Sequence, residues 1–386
     1  MHRWTREILQ MSDSSLPKTK PAGGGMDRRS VLLTAAGGAI AAAMAPGEAS
    51  AQPDQPFKRA LVLGGGAIKG AYQAGAIKVL LAKGFAPDHL YGISAGSLNA
   101  AFLCDRAYFL GKPKSAYYSE LKETPPANAG DLSAPVNWPF IGEQLVNFWR
   151  QKVTDPSKLV KEWPVTGVAL HALFSEFNGF LSVSPLKRLV ESTLDVKRLQ
   201  VSTVPATIGT VNIDTTKIKY VKNSDPDFKQ FILASAALPL IMPIVEIKSG
   251  PNAGRYVDGG VKHIVPVRDA AGDSPATHMI AIVCQAPLKT NNYQPLTNTK
   301  DVIQLARRLS DVASDNVIQQ DVGYALHKKI AVIRPQAPLE TEIGNPNAEI
   351  NKFTSADISA LIARGEYYAE EKIKEGKELT ADYFSS

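Results

Sequence analysis

Apolar positions along this chain follow two rhythms. Short unbroken runs read as buried strands: Ala60–Leu63, and Met279–Val283 within a strand expected over Met279–Gln285. Between them lie segments with helical spacing. In Ala71–Leu81, residues Tyr72, Ala76, Val79 and Leu80 share one face. Ser97–Leu103, Ser184–Leu194 (Pro185 in its first turn), Gln230–Ala237, Asp301–Gln319 and a charged stretch from Ser355 to Lys377 read as further helices. Val201–Thr210, Lys217–Val221 and Ile330–Pro335 read as further strands. From Pro56 onward the strand–helix–strand alternation predicts an α/β domain built on a parallel sheet, spanning 56–386, with a mainly helical C-terminal part over 295–386.

Two regions break that rhythm. Residues 112–180 are rich in proline and aromatics (Trp138, Trp149, Trp163, Phe174, Phe177, Phe180), and two readings stand for them: a lid over an apolar pocket, or an excursion anchored by aromatic packing. At the other end, Met26-Asp27-Arg28-Arg29 opens an alanine- and glycine-rich stretch, free of charge from Ser30 to Gly47, and Ala49-Ser50-Ala51 follows it. Twin arginines, mild hydrophobicity and a small-x-small site read as a Tat export signal over 26–51, cleaved after Ala51, directing the protein to the periplasm or beyond. Residues 1–25 read as a disordered extension or as sequence ahead of the true start, and Gln52–Pro56 as a linker.

Candidate chemistry begins at Gly92-Ile93-Ser94-Ala95-Gly96. Gly-x-Ser-x-Gly between a strand and a helix is the corner on which serine acyl hydrolases present a nucleophile. Upstream, Gly64-Gly65-Gly66-Ala67-Ile68-Lys69-Gly70 joins a strand to a helix. A dinucleotide fingerprint fails here, because Ala67 stands where its middle glycine belongs. A P-loop fails as well, since Lys69 precedes Gly70 rather than following it. An oxyanion hole needs only N–H donors on a flexible loop beside the serine, and this reading fits. The third element, Asp258-Gly259-Gly260, exposes a carboxylate at a strand end; alone it would be an ordinary turn.

With these blocks in this order the chain resembles the patatin-like phospholipase family, from about Lys58 to Val267 and more loosely beyond. The stretch Leu233-Ala234-Ser235-Ala236-Ala237-Leu238-Pro239 is similar to one that family members place before Asp-Gly-Gly. The resemblance implies a central, mostly parallel sheet flanked by helices and a Ser–Asp dyad without histidine. It makes Ser94 the nucleophile, Asp258 its base, and the amides of Gly65, Gly66 and Ala67 the oxyanion donors. Asp258 is then expected in a desolvated position, hydrogen-bonded to Ser94. The implied substrate is a phospholipid or another acyl-ester lipid at a membrane surface. Ala67 departs from the family pattern, which has a third glycine there, and a positive φ would strain it.

Rivals remain within the sequence. A Ser-His-Asp esterase for small soluble esters would use His263, whereas His89, His171, His278 and His327 have structural or solvated settings. A non-catalytic lipid-binding scaffold would keep the fold without the turnover. The net charge of +6 mildly favours an anionic membrane, but no basic stripe with interleaved aromatics points to nucleic acid. Cys104 and Cys284, both in apolar segments, are expected as free buried thiols. Metal-ligand spacings and cofactor motifs are absent from the sequence, and nothing in it fixes the oligomeric state.

Overall fold

The computed structural model describes residues 59–162, 179, 181–273, 276–287, 302–346 and 348–384. Residues 1–25, the segment 26–51 read as an export signal, the stretch 52–56 read as a linker, His171, Trp163, Phe174, Phe177 and Phe180 lie outside the described residues, and the described ones belong to a single unit, 55–386. In chain order the strands are β1 (Arg59–Leu63), β2 (His89–Ile93), β3 (Lys161–Glu162), β4 (Leu181–Ser182), β5 (Ala206–Asn212), β6 (Lys217–Lys222), β7 (Val245–Ile247), β8 (Gly254–Asp258), β9 (His278–Ile282) and β10 (Ala331–Ile333). All but β3 and β4, which pair with each other, join one eight-stranded sheet in the order β10-β9-β1-β2-β5-β8-β7, with β6 alongside β5. From β10 to β5 the pairing is parallel, while β6, β8 and β7 pair antiparallel. The fold is the expected α/β architecture, with a mixed sheet flanked by helices.

The parallel half explains the unbroken apolar runs. Leu61, Val62 and Leu63 of β1 and Ile280, Ala281 and Ile282 of β9 are fully buried, because helices cover both faces of the sheet. On one face, the helices Gly70–Ala82 and Ser355–Glu375 touch backbone to backbone. A methyl group on Gly75 would lie 2.0 Å from the Ile362 carbonyl oxygen, and one on Gly365 1.8 Å from that of Tyr72. The second helix starts at a capping box of Thr354 and Asp357 and stops at Gly376, which adopts a left-handed φ of 61°.

Most expected boundaries shift by a few residues, β9 for instance ending at Ile282 rather than Gln285, and two differ more. Val201 closes a short helix, Val196–Val201, capped by the Asp195 side chain, and β5 begins only after Pro205. The cap outweighs the β preference of Val201 because it satisfies the Arg198 N–H locally. The helix expected over 301–319 runs from Val302 to His327. Among the described residues of the C-terminal part, the helices Val302–His327, Leu339–Glu342 and Ser355–Glu375 accompany β10, which forms one edge of the sheet. Both cysteines are free and buried, as expected. Among the described residues, no helix is long and apolar enough to cross a membrane, and no cluster of three His, Cys, Asp or Glu could hold a metal ion.

Candidate active site

Ser94 sits between β2 and the helix Ala95–Ala107 with φ 55° and ψ −124°. Such backbone costs a non-glycine residue about 1–3 kcal/mol, and the surroundings must enforce it. The turn is also too tight for side chains on its flanks. A methyl group on Gly92 would lie 2.4 Å from the Gly96 carbonyl oxygen, and one on Gly96 2.2 Å from that of Leu63. Two hydroxyls hold the corner. The Ser94 N–H donates to Ser235 Oγ at 2.9 Å, and the Ser97 hydroxyl donates to the Ser94 carbonyl at 2.6 Å.

Asp258 reaches Ser94 through strand pairing. One edge of β5 pairs with β6 over Thr207–Asn212, so β2 and β8 must share the other edge. There β2 runs parallel and ends with Ile93 opposite Gly209, while β8 runs antiparallel and ends with Asp258 opposite Thr210. The C-terminal ends of the two strands therefore meet head-on at neighbouring residues of β5. The end of the helix Phe228–Ser235 and the residues just after it secure both ends. Ser235 accepts from Ser94 and donates to the Gly209 carbonyl at 2.7 Å, and the Ala237 carbonyl accepts the Asp258 N–H at 2.9 Å. The Leu233–Pro239 block thus has a structural reason to precede Asp-Gly-Gly.

The Asp258 carboxylate is 1% exposed. Its Oδ1 accepts the Gly260 N–H at 2.7 Å, whereas Oδ2 is buried without a well-formed hydrogen bond. The Ser94 hydroxyl faces the carboxylate closely enough to favour its charged form, though without ideal bond geometry in this resting state. Burial dominates and pushes the pKa of Asp258 up to about 7, against the opposing pull of Gly260 and Ser94.

The glycine loop lies against the serine: a methyl group on Gly65 would be 3.2 Å from Ser94 Cβ. The Gly64 N–H donates to Ile282 and the Gly65 N–H to Ile264, at 3.1 and 2.8 Å. Gly65, expected among the oxyanion donors, therefore has its N–H committed to the protein. The N–H groups of Gly66 and Ala67, at the start of a single helical turn, have no protein acceptor among the described residues. Ala67 has φ 50°, the strained side of the alternative left open by its sequence. Lys69 forms an ion pair with Glu340 at 2.6 Å, and Gly259 and Gly260 form the turn after Asp258.

Sequence reasoning missed a buried polar relay behind this loop. Trp149 Nε1 donates to Asn99 Oδ1 at 2.8 Å, and Asn99 Nδ2 donates to the Gly70 carbonyl and to Gln73 Oε1, each at 3.0 Å. Gln73 Nε2 in turn donates to the Gly64 carbonyl at 2.7 Å. Its signal was present: Gln73 and Asn99 are lone amides inside small apolar helical runs. Trp149 also places one member of the 112–180 aromatic set at the site. It joins Ala67, Ser94, Leu98, Leu159, Leu186, Ile232, Leu238 and Met242 around a cleft whose lining is apolar apart from Ser94. A larger cleft of about 190 Å³, lined by Ile318, Val322, Leu326 and Arg334 among others, contains neither Ser94 nor Asp258.

His263 is not brought to the serine. Its Nδ1 lies 3.1 Å from Asp321 Oδ1, and it makes no hydrogen bond to Ser94 or Asp258. His278 pairs with Asp382 at 2.8 Å, and His89 stacks on Tyr91 and bonds Thr207 at 2.9 Å; both serve the scaffold.

The family model for patatin-like phospholipase matches residues 61–271, more than half of the 386-residue chain. The chain belongs to the patatin-like phospholipase family. That places it among lipid hydrolases, and the matched segment carries the glycine loop, Ser94 and Asp258. Among solved structures it is similar to VipD from Legionella pneumophila, with 12% identity over 83% of this chain and 67% of that one. The TM-score of 0.35 is too low for that likeness to carry any argument. No curated protein matches.

Proposed function

We propose that this patatin-like protein is a serine lipid acyl hydrolase acting through a Ser94–Asp258 dyad. Asp258 takes the hydroxyl proton as Ser94 Oγ attacks the ester carbonyl carbon. The tetrahedral oxyanion collapses, the ester C–O bond breaks, and the departing alcohol receives the proton from Asp258. Water, deprotonated in turn by Asp258, then attacks the acyl-serine carbonyl carbon; the acyl–Oγ bond breaks, Ser94 Oγ recovers the proton from Asp258, and the fatty acid is released. The free N–H groups of Gly66 and Ala67 stabilise both oxyanions, and removing one such donor typically costs about 3–4 kcal/mol of barrier.

The observation that carries this reading is the environment of Asp258. A carboxylate at the ordinary pKa of about 4 is a weak base toward a serine hydroxyl. Raised to about 7 by burial, it is both ionised near neutral pH and markedly more basic. The apolar cleft beside Ser94 suits a fatty-acyl chain, which with the family supports a phospholipid or similar acyl ester at a membrane surface as substrate. No step above requires a metal or cofactor.

Fatty-acid release from mixed phospholipid vesicles, with chelator present, tests the proposal on wild type, Ser94→Ala, Asp258→Asn and His263→Ala. The first two variants are expected to be inactive and the third active. Ser94→Ala retaining a tenth of wild-type activity would sink the dyad. A folded wild type that never labels with a fluorophosphonate would favour the non-catalytic scaffold instead. We further infer export through the 26–51 segment; N-terminal sequencing of secreted protein should then begin at Gln52.

A further inference from the structure

Gln285 lies three residues past β9, outside the segment matched by the family model. Its Nε2 donates to the Gly65 carbonyl at 3.0 Å. Its backbone carbonyl accepts from both Nε and Nη2 of Arg334, at 3.2 and 2.9 Å. A carbonyl oxygen can only accept, so the amide of Gln285 must turn its nitrogen toward Gly65 even though Oε1 is then buried without a partner. That arrangement sacrifices one hydrogen bond to secure the other.

The gain lies on the far side of the same peptide. In a trans peptide the C=O of one residue and the N–H of the next point in opposite directions. Holding the Gly65 carbonyl toward Gln285 therefore directs the Gly66 N–H away from it. That N–H has no protein acceptor among the described residues, and the loop here packs on Ser94. The peptide is flanked by Gly65 and Gly66, whose backbone is the most permissive available, so without a tether it is free to rotate. A rotated peptide would offer a carbonyl oxygen where the oxyanion needs a donor.

We propose that Gln285 is a positioning residue that locks the Gly65–Gly66 peptide with its N–H facing the oxyanion, and that Arg334 anchors Gln285 from behind. The proposal rests on the reading of Gly66 as an oxyanion donor. Misdirecting one donor approaches its removal, for which losses of about 100- to 1,000-fold in kcat are typical. The expected loss here is about 10- to 100-fold, since part of the population keeps the productive orientation.

The test uses the full chain, with kcat and KM for p-nitrophenyl butyrate and the Ki of an alkyl trifluoromethyl ketone, whose serine adduct carries an oxyanion. Gln285→Met keeps length but loses the donor, and should lower kcat about 10- to 100-fold with KM within about twofold. The Ki should rise by a similar factor. Gln285→Lys restores a donor to the Gly65 carbonyl and should regain part of the loss, whereas Gln285→Glu should not. A kcat for Gln285→Met within twofold of wild type would overturn the proposal, as would a Gln285→Lys variant no better than Gln285→Met. Fluorophosphonate labelling of wild type at Ser94 separates the two layers. If wild type labels and hydrolyses while Gln285→Met is equally active, only the positioning role falls; if wild type does neither, the hydrolase reading falls and takes this proposal with it.

Discussion

Replacing Asp258 with asparagine should abolish turnover and, above neutral pH, make the protein more stable. An unfolded aspartate titrates near 3.9, whereas in the fold burial moves Asp258 to about 7. Below pH 4 both states are protonated and the residue has no pH-linked effect. Between pH 4 and 7 the unfolded chain releases its proton while the folded one keeps it. Stability then falls with rising pH, by about 1.4 kcal/mol per unit. Above pH 7 the loss levels off at about 4 kcal/mol, roughly three units at that slope.

Asparagine has the same shape and no charge, so it resembles the protonated aspartate at every pH. Its carbonyl still accepts the Gly260 N–H, and its amide takes the place of the unpartnered Oδ2 beside Ser94. Thermal melts of wild type and Asp258→Asn from pH 4 to 8.5 should diverge as pH rises, with the variant roughly 5–10 °C higher at the alkaline end. Over the same range, wild-type kcat/KM should climb as Asp258 ionises and level off above pH 7. A variant less stable than wild type at pH 8, or a difference that does not change with pH, would refute the argument. Asp258 would then be neither desolvated nor poised as a base.

Three further outcomes are expected. Ser235→Ala leaves the Ser94 N–H buried without its acceptor and the Gly209 carbonyl without its donor, so it should cost about 1–3 kcal/mol in urea unfolding and lower kcat as well. Ala67→Gly relieves a left-handed alanine and should raise stability by about 0.5–1 kcal/mol while activity persists; a drop in Tm would show that the methyl group packs productively. His263→Ala should keep vesicle hydrolysis within about threefold of wild type, because His263 faces Asp321 rather than Ser94; loss of activity would revive the triad.

Features governed by local chemistry were legible from the sequence. The glycine loop, the Gly-x-Ser-x-Gly corner and the Asp-Gly-Gly turn each mark a place where backbone must bend or approach closely, and glycine is nearly the only residue that permits it. Features governed by tertiary hydrogen bonding were not. That the Gly65 N–H is spent on Ile264 depends on the loop after Asp258 folding back across the sheet. The Asp321 carboxylate holds that loop by accepting from Ile264 and Val265, at 2.8 and 3.0 Å, from a helix more than fifty residues away in sequence. Gln285 was overlooked for a similar reason. A glutamine at a strand end looks solvated until the sheet order places β9 beside β1 and the glycine loop.

The relative position of the proposed dyad, Ser94 and Asp258, follows from register rather than from side-chain packing. A one-residue slip of β8 along β5 would put Val257 or Gly259 opposite Thr210 and turn the carboxylate to the other face of the sheet. Two contacts oppose that slip. The Thr210 hydroxyl donates to the Val257 carbonyl at 2.7 Å, and Gly259 lies so close to Gly209 that a methyl group would sit 2.5 Å from its carbonyl oxygen. The slip that puts Val257 opposite Thr210 brings Asp258 to the position of Gly259 and would drive its side chain into that oxygen. Ser94 is fixed independently, through Ile93 on the same edge and Ser235 beneath it. On the proposed dyad reading there is no histidine to bridge a misplaced pair, so the relative position of Ser94 and Asp258 must come from the backbone, and β5 supplies it by pairing with both strands along one edge.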